Sequence, residues 1–176
     1  MKRDFHLVPL CIGAALLQAP GRALAAPSAS AAPTRNATAT TNIYQPLGLL
    51  NKDDLNFGMA TVTTGGTVVL DPNTDTVSVT GGVVSVGGSP HSALFEGIAP
   101  TGNVVIVRLP RSATTLTRSG GTETMTVDTW TIDGTTRRTI PSRTAYTFKV
   151  GGTLHVNPNQ AEGFYTGTFT VDVQYP

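Results

Sequence analysis

Side chains equipped for chemistry are few in this chain, and their spacing is poor for it. Beyond residue 25 the only histidines are His91 and His155, and neither stands at metal-ligand spacing from the other. Ser89 lies close to His91, but no acid is placed to complete a nucleophilic triad, and no G-x-S-x-G elbow occurs. Gly82, Gly87, Gly88 and Ser89 have the spacing of a phosphate-binding loop, with Gly88 where that loop requires lysine. Asp71, Asn73 and Asp75 open like a calcium loop. Its sixth position is Thr76 instead of glycine and its twelfth is Gly82 instead of glutamate, so the segment reads as a β-turn. Glu96, Glu123, Asp128 and Glu162 are scattered, with no pairing that suits general acid–base work. Arg137-Arg138 reads as a solvated loop. Trp130 reads as a buried residue near Met125 and Val127 after a local bulge, in preference to a sugar platform on an exposed strand. These residues predict no catalytic site, no metal site and no cofactor, hence a protein that is not an enzyme.

The elements that would position them follow from composition. The chain has 176 residues with 19 glycines, 12 prolines and only 13% charged residues, and its net charge is +1. There is no excess of lysine and arginine to neutralise phosphates, so nucleic acid is not an expected partner. A single cysteine, Cys11, rules out a disulfide scaffold. Threonine, valine and glycine in abundance indicate short strands and tight turns.

The first 25 residues read as an export signal. Lys2 and Arg3 supply positive charge, Leu7–Leu17 is an apolar run, and Ala23-Leu24-Ala25 offers a cleavage site before Ala26. The run falls short of the about 20 apolar residues a membrane span needs, and no later segment reaches that length. The expected location is outside the cytoplasm. Residues 26–42 read as a flexible tail of alanine, serine, threonine and proline. At its end Ala37, Ala39, Thr41 and Ile43 share one face of an extended chain, which predicts a strand in search of a partner.

From residue 43 to 176 the hydrophobic period is two nearly everywhere. Strands are predicted near 43–50, 55–63, 66–71, 76–80, 83–87, 92–98, 103–109, 113–118, 123–132, 144–150, 153–156 and 164–175. Turns are placed at glycine pairs such as Gly65-Gly66, Gly81-Gly82 and Gly151-Gly152, and at Asp71-Pro72-Asn73. This predicts an all-β, immunoglobulin-like antiparallel β-sandwich. The expected core comprises Leu55, Phe57, Val62, Val68, Leu70, Val77, Val79, Leu94, Val105, Val107, Leu109, Val127, Phe148 and Leu154, together with the inner face of the last strand. There Phe169, Val171, Val173 and Tyr175 alternate with Thr168, Thr170, Asp172 and Gln174, and the sequence stops at Pro176. A core strand at the end of the chain implies an incomplete sheet edge.

Three stretches carry a resemblance. Pro46-Leu47 with Leu55-Asn56-Phe57-Gly58 is similar to the opening of the bacterial domain of unknown function 4402 family. Val79–Val84, Gly87–Pro90 and Phe95-Glu96-Gly97 resemble its middle. Val150–Leu154 and Asn159–Val171 resemble its closing "V-G-G-T-L … N-Q-x-x-G-x-Y-T-G-T-F-T-V". The opening and the terminal strand also resemble spore coat protein U-type subunits, the pilins of archaic chaperone–usher fibres, although those relatives often carry a cysteine pair. That resemblance implies a sandwich lacking its final strand. Its groove, lined by Phe169, Val171, Val173 and Tyr175, would be filled first by a periplasmic chaperone. At an outer-membrane usher it would then take the N-terminal strand of a neighbouring copy or related subunit, with Ala37, Ala39, Thr41 and Ile43 as donors. The expectation is a secreted structural or adhesive fibre subunit. The alternative is a free-standing periplasmic or cell-surface binding module that closes its own sandwich.

Overall fold

The computed structural model describes residues 40–41, 47–141 and 145–176. The chain divides into two units, Met1–Thr41 and Asn42–Pro176. Of the first unit only Thr40 and Thr41 are described, both exposed, and the donor positions Ala37, Ala39 and Ile43 lie outside the described residues.

The second unit is all-β and antiparallel, as the period of two predicts, with no helix among the described residues. Its strands are β1 (Gly48–Asp53), β2 (Met59–Asp71), β3 (Thr76–Gly87), β4 (Ala93–Ile98), β5 (Val104–Arg108), β6 (Thr114–Arg118), β7 (Thr124–Ile132), β8 (Arg137–Thr139), β9 (Tyr146–Val156), β10 (Tyr165–Thr166) and β11 (Asp172–Gln174). Eight of them form one strongly curled sheet in the order β1-β4-β9-β7-β6-β10, with β2 also on β9 and β3 on β2. A smaller sheet, β11-β5-β8, packs against it. Between the sheets, Ala93, Phe95, Phe148 and Val150 of the large sheet meet Val107 and Val171, while a second cluster gathers Val68, Val83, Val127, Leu154 and Val156. Burying each such side chain contributes about 1.5–3 kcal/mol of transfer free energy.

β9 organises the large sheet. One of its edges pairs with β7 along most of its length. The other is shared end to end: Tyr146–Val150 pairs with β4, and Gly152–Val156 with β2. Gly151 stands where the partner changes, and a Cβ there would run into the Leu70 carbonyl oxygen.

The glycine pairs therefore do not end strands. β2, β3 and β9 run straight through Gly65-Gly66, Gly81-Gly82 and Gly151-Gly152. Gly65 and Gly81 hold φ of +81° and +68°, and the β2–β3 register shifts between Val62 and Gly66. They form a bulge in a long hairpin, where the backbones approach too closely for a side chain. Two core assignments also change. Val79 faces inward opposite Val68 but remains 39% exposed, because among the described residues β3 has no further neighbour to cover it. Leu94 is only half-buried, since Ala93 and Phe95 on either side of it are the residues that face the core.

Arg137-Arg138 is not a solvated loop but part of β8. Arg138 pairs with Asp133 at 2.8 Å, donates to the carbonyls of Thr135 and Thr147, and lies 5.7 Å from the centre of the Phe148 ring. A three-residue strand carries too little alternation to be visible in sequence.

Asp71, Asn73 and Asp75 form the β2–β3 turn. The Asp71 carboxylate accepts from the Asn73 backbone and side-chain amides, both at 2.9 Å, which is an Asx-turn. Asp75 pairs with Lys149 and accepts from the Ser92 N–H, tying the turn to β4 and β9. The Lys149 hydrogen bond holds the Asp75 carboxyl below its ordinary value, against a smaller opposing effect of burial. A lowered folded-state pKa contributes stability that is full above about pH 5 and fades as pH falls through the carboxylate range. Asp75→Asn is thus expected to lower the melting temperature at neutral pH, with the difference closing under acid. Melting curves across pH check this, and a gap that persists undiminished to about pH 2 would contradict it.

Candidate strand-binding cleft

The terminal segment was expected to be one strand, 164–175. It forms two short pieces with a gap between them. Tyr165 and Thr166 pair with Arg118 and Thr117 of β6 in the large sheet. Asp172–Gln174 pairs with Arg108–Ile106 of β5 in the small sheet. Between them Gly167–Val171 crosses from one sheet to the other. Among the described residues, no backbone hydrogen bond is made by this stretch. Gly167, Thr168 and Thr170 are exposed, so water satisfies their polar groups.

Local chemistry holds the start of this crossing in place. The Tyr165 hydroxyl donates to the Ala161 carbonyl at 2.6 Å and accepts from Gln160 Nε2 at 2.7 Å. Asn157 Nδ2 donates to Gln160 Oε1 at 3.1 Å, and Arg118 Nε donates to the Glu162 carbonyl at 2.8 Å. The Gln160 and Tyr165 side chains of the closing stretch thus act as a clamp for the turn that leads into β10.

The inner face of the crossing is as the alternation predicts. Val171 is buried, and Phe169, Val173 and Tyr175 are half-buried, while Thr168, Thr170 and Asp172 are exposed. Phe169 lies 4.5 Å from the Trp130 ring and 6.3 Å from that of Phe95. Trp130 reaches it because β7 is bulged, as expected. The β7–β9 register shifts between Asp128 and Thr131, and Thr129 holds φ +48°. The extra residue puts Trp130 and Ile132 on the same face as Met125 and Val127, and Trp130 Nε1 donates to the Ser112 carbonyl.

Where the crossing parts from β6, a cleft of about 680 Å³ opens between residues 108–117 and 166–172. Phe169 borders this cleft, whereas Val173 and Tyr175 pack beside Ala99, Val105 and Ile140. Arg108, Arg111, Thr114, Thr168 and Thr170 line it. The Arg108–Thr115 wall was not anticipated as part of a site, although Pro110 between two predicted strands marked a break there.

A family model, Domain of unknown function (DUF4402), matches residues 47–175. The chain belongs to this family. No curated protein and no solved structure matches it. The matched span of this DUF4402 chain takes in both sheets, the clamp at Gln160 and Tyr165, and the crossing.

The remaining chemical residues do not gather at the cleft. His155 lies on β9 and its Nε2 is 2.8 Å from Asp128 Oδ1. That bond, with a second from Thr129, holds the Asp128 carboxyl below its ordinary value. His91 Nδ1 is 2.8 Å from the Ser89 carbonyl, at the strand edge. Glu123 pairs with Arg118 and Glu96 with Lys52, as separate surface ion pairs. Among the described residues no cluster of three or more metal-ligating side chains forms.

Proposed function

We propose that this DUF4402 chain is an exported, non-enzymatic structural or adhesive subunit of the cell surface, pilin-like, that assembles by strand complementation. The reading rests on the Gly167–Val171 crossing. Among the described residues its backbone donors and acceptors have no backbone partner, its apolar side chains already face the core, and a cleft runs beside it. An extended segment entering there would gain main-chain hydrogen bonds and place alternate side chains against Phe169. The donor in this reading is the tail of a neighbouring copy, with Ala37, Ala39, Thr41 and Ile43 facing the cleft, after a periplasmic chaperone has held the site and an outer-membrane usher has exchanged it.

The unpaired backbone supplies its own test. Thr168→Pro and Thr170→Pro each remove an N–H that bonds to no other described backbone group, and both side chains are exposed. The monomer should fold nearly as before, because no ladder bond is lost. Assembly should suffer, since each main-chain bond is worth about 0.5–1.5 kcal/mol net. Ile43→Asp and Ala39→Asp put an unpaired carboxylate on the donor side and should block polymers while monomers accumulate. Native gels of material expressed with its chaperone would read this out. Ladders of normal length from the proline variants and from Ala39→Asp alike would refute strand complementation at this cleft.

A further inference from the structure

β3 is an edge strand protected by neither charge nor proline. Among the described residues it pairs with β2 on one side only, over 12 residues and roughly 40 Å. It consists of threonine, valine, serine and glycine alone, with no charge and no proline. Each of the other strands that ends a sheet is short or charged: Lys52 and Asp53 lie on β1, Arg137 and Arg138 on β8, Asp172 on β11, and β10 is two residues long. Proteins normally place charge or proline on an exposed edge, because its free N–H and C=O groups will pair with any other strand, and on β3 only the bend at Gly81, with φ +68°, interrupts that edge. The half of β3 beyond Gly82 is also poorly supported. β2 leaves β9 at Gly66, so Met59–Val62 and Val83–Gly87 make a ribbon of two strands. Met59, Val84 and Val86 are each more than half exposed on it. A ribbon of two strands is marginal in water, and a third strand completes it.

We propose that β3 is a self-association edge, joining the β3 of a second copy in antiparallel register about a two-fold axis. A neutral edge selects a neutral partner, and a second copy offers one of the same length and composition. The two-fold operation brings residues of like parity face to face, so the inner and outer faces of both sheets stay continuous. Val77 and Val83 pack inward. Ser78 and Val84 therefore lie on the outer face, where both are exposed. This contact is separate from the cleft and does not rest on the function proposed for it.

Light scattering and sedimentation of the full chain should show a species of twice the monomer mass, in equilibrium with monomer. The double variant Ser78→Lys/Val84→Lys sets like charges opposite one another in the register centred on Gly81, and should weaken association roughly tenfold to a hundredfold. Ser78→Glu/Val84→Glu should do the same, while an equimolar mixture of the two should associate again, one copy of each. That rescue separates loss of pairing from loss of folding. A wild-type chain that stays monomeric up to millimolar concentration would overturn the proposal, as would a mixture that fails to associate. Multimers that persist unchanged in both charged variants would belong to the cleft, and would equally overturn pairing through β3.

Discussion

Phe148→Ala is expected to destabilise the domain by about 3–5 kcal/mol. Phe148 sits on β9, the strand that three others share, and is fully buried. Its ring stacks on Phe95 at 5.3 Å and lies 6.3 Å from Tyr146, with the Arg138 guanidinium on its face. Truncation removes the transfer free energy of the ring and leaves a cavity between two sheets that cannot close on it. It also removes the aromatic contacts, worth about 0.5–1.5 kcal/mol each beyond burial. Against a typical domain stability of about 5–15 kcal/mol this is a large fraction. Urea unfolding measures it, and the melting temperature should fall by roughly 10 °C or more. Phe148→Leu should cost less because it leaves a smaller void. A loss below about 1 kcal/mol for the alanine variant would mean that the two sheets do not meet at Phe148.

Gly151→Ala should be nearly as damaging, although it adds only a methyl group. At Gly151 the edge of β9 passes from β4 to β2, and the new Cβ would occupy the space of the Leu70 carbonyl oxygen and crowd Pro72. The obstacle is backbone, so no rotamer change relieves it. Either β2 shifts away and its ladder with β9 weakens, or β9 bends. Overpacking of this kind costs about 1–3 kcal/mol, and more where main chain must move. Gly48→Ala is the control, since its Cβ would meet only Ile98 Cβ at 3.7 Å, an ordinary contact. Equal melting temperatures for the two variants would contradict the shared-edge arrangement of β9.

Much of this architecture is legible along the chain because a strand's side chains alternate whatever its partner. The inward row Phe169, Val171, Val173 and Tyr175 and the outward row Thr168, Thr170 and Asp172 could be assigned from period alone, and they stand so in the structure. The bulge before Trp130 was legible for the same reason. Met125 and Val127 set one parity, Trp130 and Ile132 set the other, and both pairs are too apolar to leave outside. The β-turn at Asp71 was visible because it joins residues close in the chain, and the structure adds the Asx bonds that hold it. Arg138 was misread because its partners include Thr147 and the Phe148 ring, on another strand.

The sequence by itself determined the class of fold, the face most of the long strands turn to the core, and family membership over nearly the whole domain. Those are properties of residues close together in the chain. Tertiary structure alone decided which glycine pairs bend a strand and which end it, because that depends on the backbone lying opposite. It also decided that the last segment would leave one sheet at Thr166 and join the other at Asp172. β6 and β5 lie about fifty residues or more upstream, and no feature of Gly167–Val171 records their positions. The gap between them, which opens the candidate cleft, is set by how far two sheets stand apart, and that distance is fixed by the core that fills it.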